Sequence, residues 1–186
     1  MPRHIDPAVE GRILDAARKL WRKGGEKSLN MREVAKLAGT NTPAVYRRYR
    51  NREEILRALV ESYQNEVSKQ LQPCGSIKEM AQKYANYALK YPQEHQLMMS
   101  GTLARTTKLR PNFEFALSRA AKWLGGSAAE HRRLMLAIVS LIDGVVLLKS
   151  TGWVREEDDR ALNAGFAKAV DVLVQNESQF RENENG

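Results

Sequence analysis

Helix punctuation recurs along almost the whole chain and constrains its fold more than any other feature. Asp6-Pro7 reads as an N-cap followed by proline in the first turn. Ile13, Leu14, Ala17, Leu20 and Trp21 then recur at helical spacing until Gly24-Gly25. Asn30-Met31-Arg32-Glu33 has the form of a capping box with Asn in place of Ser or Thr. A short helix follows, with Val34, Leu37 and Ala38 on its inner face, and Gly39 ends it. Asn41-Thr42-Pro43 opens a third helix. Asn51-Arg52-Glu53-Glu54 opens a fourth, with acids in the first turn where the helix dipole favours them, and it fades near Pro73-Cys74-Gly75.

The same grammar continues. A capping box, Ser76 to Glu79, starts a helix that runs to Tyr91-Pro92, and a shorter helix lies around Gln93 to Ser100. Thr102 to Arg110 is poorly patterned and reads as a loop or frayed turn. Pro111 opens a helix that stops at Gly125-Gly126. Ser127 to Glu130 caps a long apolar helix that closes at Gly152, and a last helix runs from Glu156 to about Gln175, followed by a polar, frayed tail. No segment alternates convincingly with period two, and no internal repeat of roughly 20–50 residues is present. The sequence therefore predicts an all-α protein.

The chain is long enough, at 186 residues with 42% hydrophobic content, to bury a core as one large domain or as a small one joined to a medium one. The formal net charge of +8 is concentrated: residues 1–60 hold 14 Lys/Arg against 7 Asp/Glu, and residues 61–186 hold 16 against 15. That asymmetry points to a polyanion-binding head on an electrically balanced body, while a plain solubility surplus fits the charge alone. The opening residues carry no apolar stretch, so no secretory signal is expected. The most apolar segment, Leu134 to Leu148, is about 15 residues long, whereas a bilayer span needs roughly 20. No membrane association is expected. The one cysteine, Cys74, excludes an intramolecular disulfide and a multi-cysteine zinc site, fits a reducing compartment, and is most simply an inert thiol.

Residues 30–49 carry the strongest local signal. Ala35 and Gly39 are four apart and Val45 follows six later, which is the spacing of a helix-turn-helix. A small residue sits where two helices cross, glycine where the turn needs positive φ, and an apolar residue where the second helix seals against the first. Spacing alone also fits a helical hairpin that binds nothing. The flanking run Tyr46-Arg47-Arg48-Tyr49-Arg50-Asn51-Arg52 favours nucleic acid: arginine bonds phosphate or guanine in bidentate fashion, and tyrosine hydroxyls suit phosphate oxygens. These arginines cannot all share one helix face, so some turn toward base edges and others toward backbone.

The stretch from Asn30 to Leu56, within residues of about 8–56, resembles the DNA-binding domain of the TetR family of transcriptional regulators. The family's usual pattern is aliphatic-Ala, Ala-Gly-Val-Ser, Leu-Tyr, an aromatic, then Ser/Asn-Lys-Glu before an aliphatic helix. Thr40, Asn41 and Arg52 depart from the usual valine, serine and lysine without breaking it. The resemblance implies three parts: a helix-turn-helix DNA-binding domain at 1–50, a helical effector-binding and dimerisation domain at 51–180, and a polar tail at 181–186. It also implies that Tyr46 and Arg52 contact phosphate and that Thr42, Pro43, Ala44 and Arg47 face the groove. Arg48 is suited to either task. Tyr49 matches a buried aromatic that docks this helix. Arg3, in the leading arm, either reaches phosphate or minor groove or belongs to a disordered end.

One recognition helix reads too few base pairs for useful specificity, and helix-turn-helix proteins usually solve this by symmetric dimerisation. The long apolar helix and the last helix supply the candidates Ile138, Leu141, Val145, Leu148, Phe166, Val170 and Leu173, which the resemblance implies pair with their copies as a four-helix bundle. The alternative is that both helices serve only the monomer core. An unknown small-molecule effector is implied in the middle helices, where Tyr84, Tyr87, Met98, Phe113 and Trp123 are candidate pocket residues; residues of this kind also fill ordinary cores. Asp143 can answer a cationic effector, bond across a dimer, or pair locally.

The expected partners are thus double-stranded DNA, a second copy of the chain and an effector, in the cytoplasm, with no cofactor and no metal. Repression is the outcome the family favours over activation. No catalytic residue is expected: His4, His95 and His131 are scattered, and no HExxH, Walker-type glycine loop or Gly-x-Ser-x-Gly elbow occurs. A DNA-binding structural protein with no effector, a helical interaction module and a helical enzyme are the remaining readings.

Overall fold

The computed structural model describes residues 7–100 and 110–181, and among them every regular element is helical. The elements are α1 (Pro7–Ser28), α2 (Met31–Leu37), α3 (Thr42–Arg48), α4 (Arg52–Leu71), α5 (Ile77–Lys90), α6 (Pro92–Met99), α7 (Pro111–Leu124), α8 (Arg132–Ser150) and α9 (Asp159–Gln175), with short 3₁₀ turns at Glu156–Asp158 and Glu177–Phe180. Arg3, nearly all of the expected Thr102–Arg110 loop and all but the first residue of the 181–186 tail lie outside the described residues.

The punctuation acts where the sequence puts it. The Asn30 and Asn41 side chains each accept a bond at 2.9 Å from the backbone N–H three residues on, at Glu33 and Ala44. Ser127 and Glu130 form a reciprocal pair, with Ser127 N–H donating to Oε1 at 2.7 Å and Glu130 N–H donating to Oγ at 3.4 Å, but the pair closes a turn rather than opening the long apolar helix, which begins at Arg132 with no side-chain cap. Gly24 and Gly25 break α1, and one further turn carries the chain to Ser28.

The chain divides into two compact units. The head comprises the described residues of Met1–Tyr63 and Gln93–Thr106, and the body those of Gln64–Pro92 and Thr107–Gly186. The head core joins Ile13 and Ala17 of α1, Val34 of α2, Val45 of α3, Ile55 and Leu59 of α4, and Leu97 of α6. Each such large side chain withdrawn from water stabilises by about 1.5–3 kcal/mol. α6 is held in the head by polar anchors as well. Arg22 Nε meets buried Glu94 at 2.5 Å, Trp21 Nε1 donates to the Gln93 carbonyl at 3.1 Å, and the Tyr63 hydroxyl lies 3.2 Å from His95 Nδ1.

In the body, α5, α8 and α9 pack against one another, and α7 packs on α5 and α8. The Glu177–Phe180 turn and Arg181 do not fray as the polar composition suggests. Arg181 donates to both carboxylate oxygens of Glu177 and to the Leu124 carbonyl, tying the segment to the end of α7. Ion pairing outweighs a low apolar content here.

Candidate nucleic-acid interface

Seven residues in α2 and seven in α3 are too few to fold alone, so their geometry comes from their caps, their turn and the core beneath. Gly39 lies at φ +63°, in the left-handed region. Around it the Thr40 N–H donates to the Ala35 carbonyl at 3.0 Å and the Gly39 N–H to Lys36 at 3.3 Å, the paired bonds of a Schellman turn. Val34, Ala35, Ala38 and Val45 are buried where the two helices cross, whereas Leu37, expected on the inner face, is 49% exposed. Buried Met31, Val34, Ala35 and Ala38 centre the seam on the far side of Val34 from Leu37, which leaves Leu37 outside it.

Pro43, Tyr46, Arg47 and Arg50 are exposed. Pro43, Tyr46 and Arg47 share one outward face of α3 by their i, i+3, i+4 spacing, and Arg50 follows in the turn after extended Tyr49. Tyr46 is half exposed, and neither the Arg47 nor the Arg50 guanidinium makes an ion pair among the described residues. Thr42 sits half-buried at the helix start. The other two arginines of the cluster are occupied. Arg48 Nη1 pairs with Glu10 of α1 at 2.5 Å, and Arg52 bonds the Glu26 carboxylate and, at 3.2 Å, its carbonyl oxygen.

Two of the expected contact residues are largely covered. Ala44, expected on the groove side, is buried at 9% exposure. Arg48, suited to either base or backbone contact, keeps only 16% of its side chain exposed and docks α3 on α1. Tyr49 is core, and burial, with Glu10 adding to it, raises its phenol pKa. Arg50 was in the basic run without a role of its own; its signal was its place three residues after Arg47.

Residues 13–59 match the pattern of the "Bacterial regulatory proteins, tetR family". The likeness to that family lies in the head, over its helix-turn-helix. No curated protein matches the sequence. Solved structures match over nearly the whole chain and share its fold. A minocycline complex of a TetR variant from Acinetobacter baumannii AYE is 24% identical, with 94% of this chain and 98% of that one aligned at a TM-score of 0.69. A protein of unknown function from Rhodococcus sp. RHA1 aligns over 94% and 97% of the two chains at 19% identity and a TM-score of 0.70. The multidrug binding protein EbrR in complex with imidazole aligns over 93% of each chain at 20% identity and 0.59.

The candidate pocket residues fall in both units. Met98 packs on the head core and belongs to the other unit from Tyr84, Tyr87, Phe113 and Trp123. α6, which the sequence alone assigned to the middle helices, carries it there. Tyr87 and Tyr91 meet with ring centroids 4.8 Å apart, Arg132 lies over Phe113 and Arg119 over Trp123. Burial, with the Asp143 charge adding to it, raises the Tyr84 pKa. A cavity of about 600 Å³ opens between the end of α8 and the start of α9, walled by Lys149, Arg155, Glu156, Asp159, Arg160, Asn163 and Val154, and none of the five candidates lines it.

The dimer candidates divide by burial. Ile138, Val145, Phe166 and Val170 are enclosed in the body's own core, while Leu141, Leu148 and Leu173 are half-buried. α8 is apolar around most of its circumference, so composition could not say which side was already occupied. The apolar side chains left most open are Leu136 and Leu147 on α8, Val172 on α9 and Trp153 between them. Leu136 and Leu147 are eleven residues apart, close to three full turns, and share a face. No described helix is long and apolar enough to cross a membrane.

Proposed function

We propose that this protein is a homodimeric transcriptional repressor of the cytoplasm that binds a near-palindromic operator through α2 and α3 and leaves it when a small-molecule effector occupies the body. The observation that carries the reading is the exposed face of Pro43, Tyr46 and Arg47 on α3, with exposed Arg50 just past its end, on a helix whose Val45 is sealed into the core. Arg47 and Arg50 supply cations for base edges and phosphate, Tyr46 a hydroxyl for phosphate, and Thr42 a small polar entry to the groove. Arg52 adds a phosphate contact.

Two half-sites demand two heads, and Leu136, Leu147 and Val172 offer an exposed apolar face suited to a second copy. Effector binding rests on the fold likeness to proteins solved with minocycline and imidazole. The aromatic set of Tyr84, Tyr87, Phe113 and Trp123 provides stacking surface for such a molecule. Among the described residues the chain passes between body and head within α4 and at the start of α6, so a shift of body helices has a covalent route to the DNA-binding unit.

Selection of genomic fragments by the purified protein, repeated with a panel of metabolites, tests this directly. Enrichment of inverted-repeat fragments that one class of metabolite releases is the expected result. Enrichment that no metabolite disturbs removes the effector, and no enrichment removes the operator.

A further inference from the structure

The two acids that hold the arginine cluster both come from the N-terminal helix, and the two pairs are built differently. Glu10, in the first turn of α1, meets Arg48 where the arginine is 16% exposed, so this pair is a strut between α1 and α3. Glu26 follows the glycine break. Gly25 at φ +58° takes a conformation other residues rarely adopt, and this bend brings Glu26 to Arg52 at the start of α4. The Arg52 side chain is 42% exposed and the Glu26 side chain 66%, so this pair lies open to solvent and its anion is exchangeable.

Resting on the DNA-binding reading, we propose that Glu26 is an intramolecular competitor for the DNA phosphate at Arg52, and that it sets the affinity of the head for duplex DNA. Two guanidinium donors of Arg52 are committed to Glu26, one to the carboxylate and one to the carbonyl oxygen. A phosphate that approaches Arg52 meets the Glu26 charge first. Either the carboxylate withdraws and the ion pair is lost, or it stays and repels the phosphate. In both cases Glu26 weakens binding through Arg52, and a neutral side chain of the same shape removes the weakening. The Arg47 and Arg50 guanidinium groups make no ion pair among the described residues, although the Glu54 carboxylate accepts from the Arg50 backbone N–H at 2.6 Å, so they bind without this competition.

Phosphate contacts do not depend on sequence, so a mixed-sequence duplex suffices as probe. Its dissociation constant is measured at low salt by fluorescence anisotropy for the full-length wild type, Glu26→Gln, Arg52→Gln and the double variant, after melting curves confirm that each folds. Glu26→Gln should tighten binding about two- to fivefold, the range of an exposed ion pair, and Arg52→Gln should weaken it. In the Arg52→Gln background the Glu26 change should have no effect, because the coupling runs through that guanidinium. Equal tightening in both backgrounds would mean a general charge effect and overturn the proposal, as would unchanged or weaker binding by Glu26→Gln alone. A wild type that binds no duplex overturns the DNA-binding reading and this inference together; a wild type that binds, with Glu26→Gln indistinguishable from it, overturns this inference alone.

Discussion

Arg47 and Arg48 are adjacent in sequence and opposite in task. A helix rotates about 100° per residue, which turns Arg47 to solvent and Arg48 onto Glu10 of α1. The arginine run announced a basic surface, but which of its members would be spoken for depended on acids 26 and 38 residues away in sequence, and no local pattern reports such a pairing. The same holds for Tyr84 and Asp143, which belong to different helices and meet only in the folded body. Tyr84 stays neutral in the folded chain well past the point where an unfolded tyrosine ionises, near pH 10. Its contribution is therefore complete below about pH 10 and is lost as pH rises from there through the higher folded-state pKa, since the unfolded chain releases the proton first. Urea unfolding of wild type and Tyr84→Phe between neutral pH and pH 11 should show the wild type losing stability more steeply above pH 10. Parallel curves would contradict the burial of that hydroxyl.

At the scale of elements, caps and breakers carried most of the fold. Asn30, Asn41, Ser76, Pro111 and Gly125 mark helix ends in the chain and in the structure alike, because the backbone groups they satisfy are local. Packing is not local, and there the sequence was a poorer guide. Nothing in the alternation of α6 shows that Glu94 and His95 are buried in the head and bring Met98 with them. Nor does the composition of residues 177–181 reveal that Arg181 pins them to α7. The element that matters most for the proposed function is α3, and its first turn depends on one side chain. Asn41→Ala removes the bond to the Ala44 N–H and should cost about 1 kcal/mol of stability in thermal melts, with weaker duplex binding at temperatures where the head stays folded. An unchanged melting temperature would show that α3 is set by its core contacts alone.

For the whole molecule, the apolar circumference of α8 was legible but its division was not. Burial now assigns Ile138 and Val145 to the body's own core and leaves Leu136, Leu147 and Val172 open. A charge at an open position should therefore separate subunits without unfolding them. By sedimentation velocity at micromolar concentration, the wild type should be a dimer and Leu147→Glu a folded monomer, while Val145→Glu should unfold the body. A wild-type monomer would remove the second half-site from the account.

The central claim is that an arginine-bearing face of the head binds duplex DNA, and the salt dependence of that binding tests it most directly. The logarithm of the binding constant should fall with the logarithm of salt concentration at a slope of about −0.9 per phosphate neutralised, and Arg47→Ala should lose roughly 1–3 kcal/mol if it reads a base, or about one unit of slope if it holds phosphate. A slope near zero for the wild type, or an Arg47→Ala variant that matches it in both affinity and slope, would contradict the assignment.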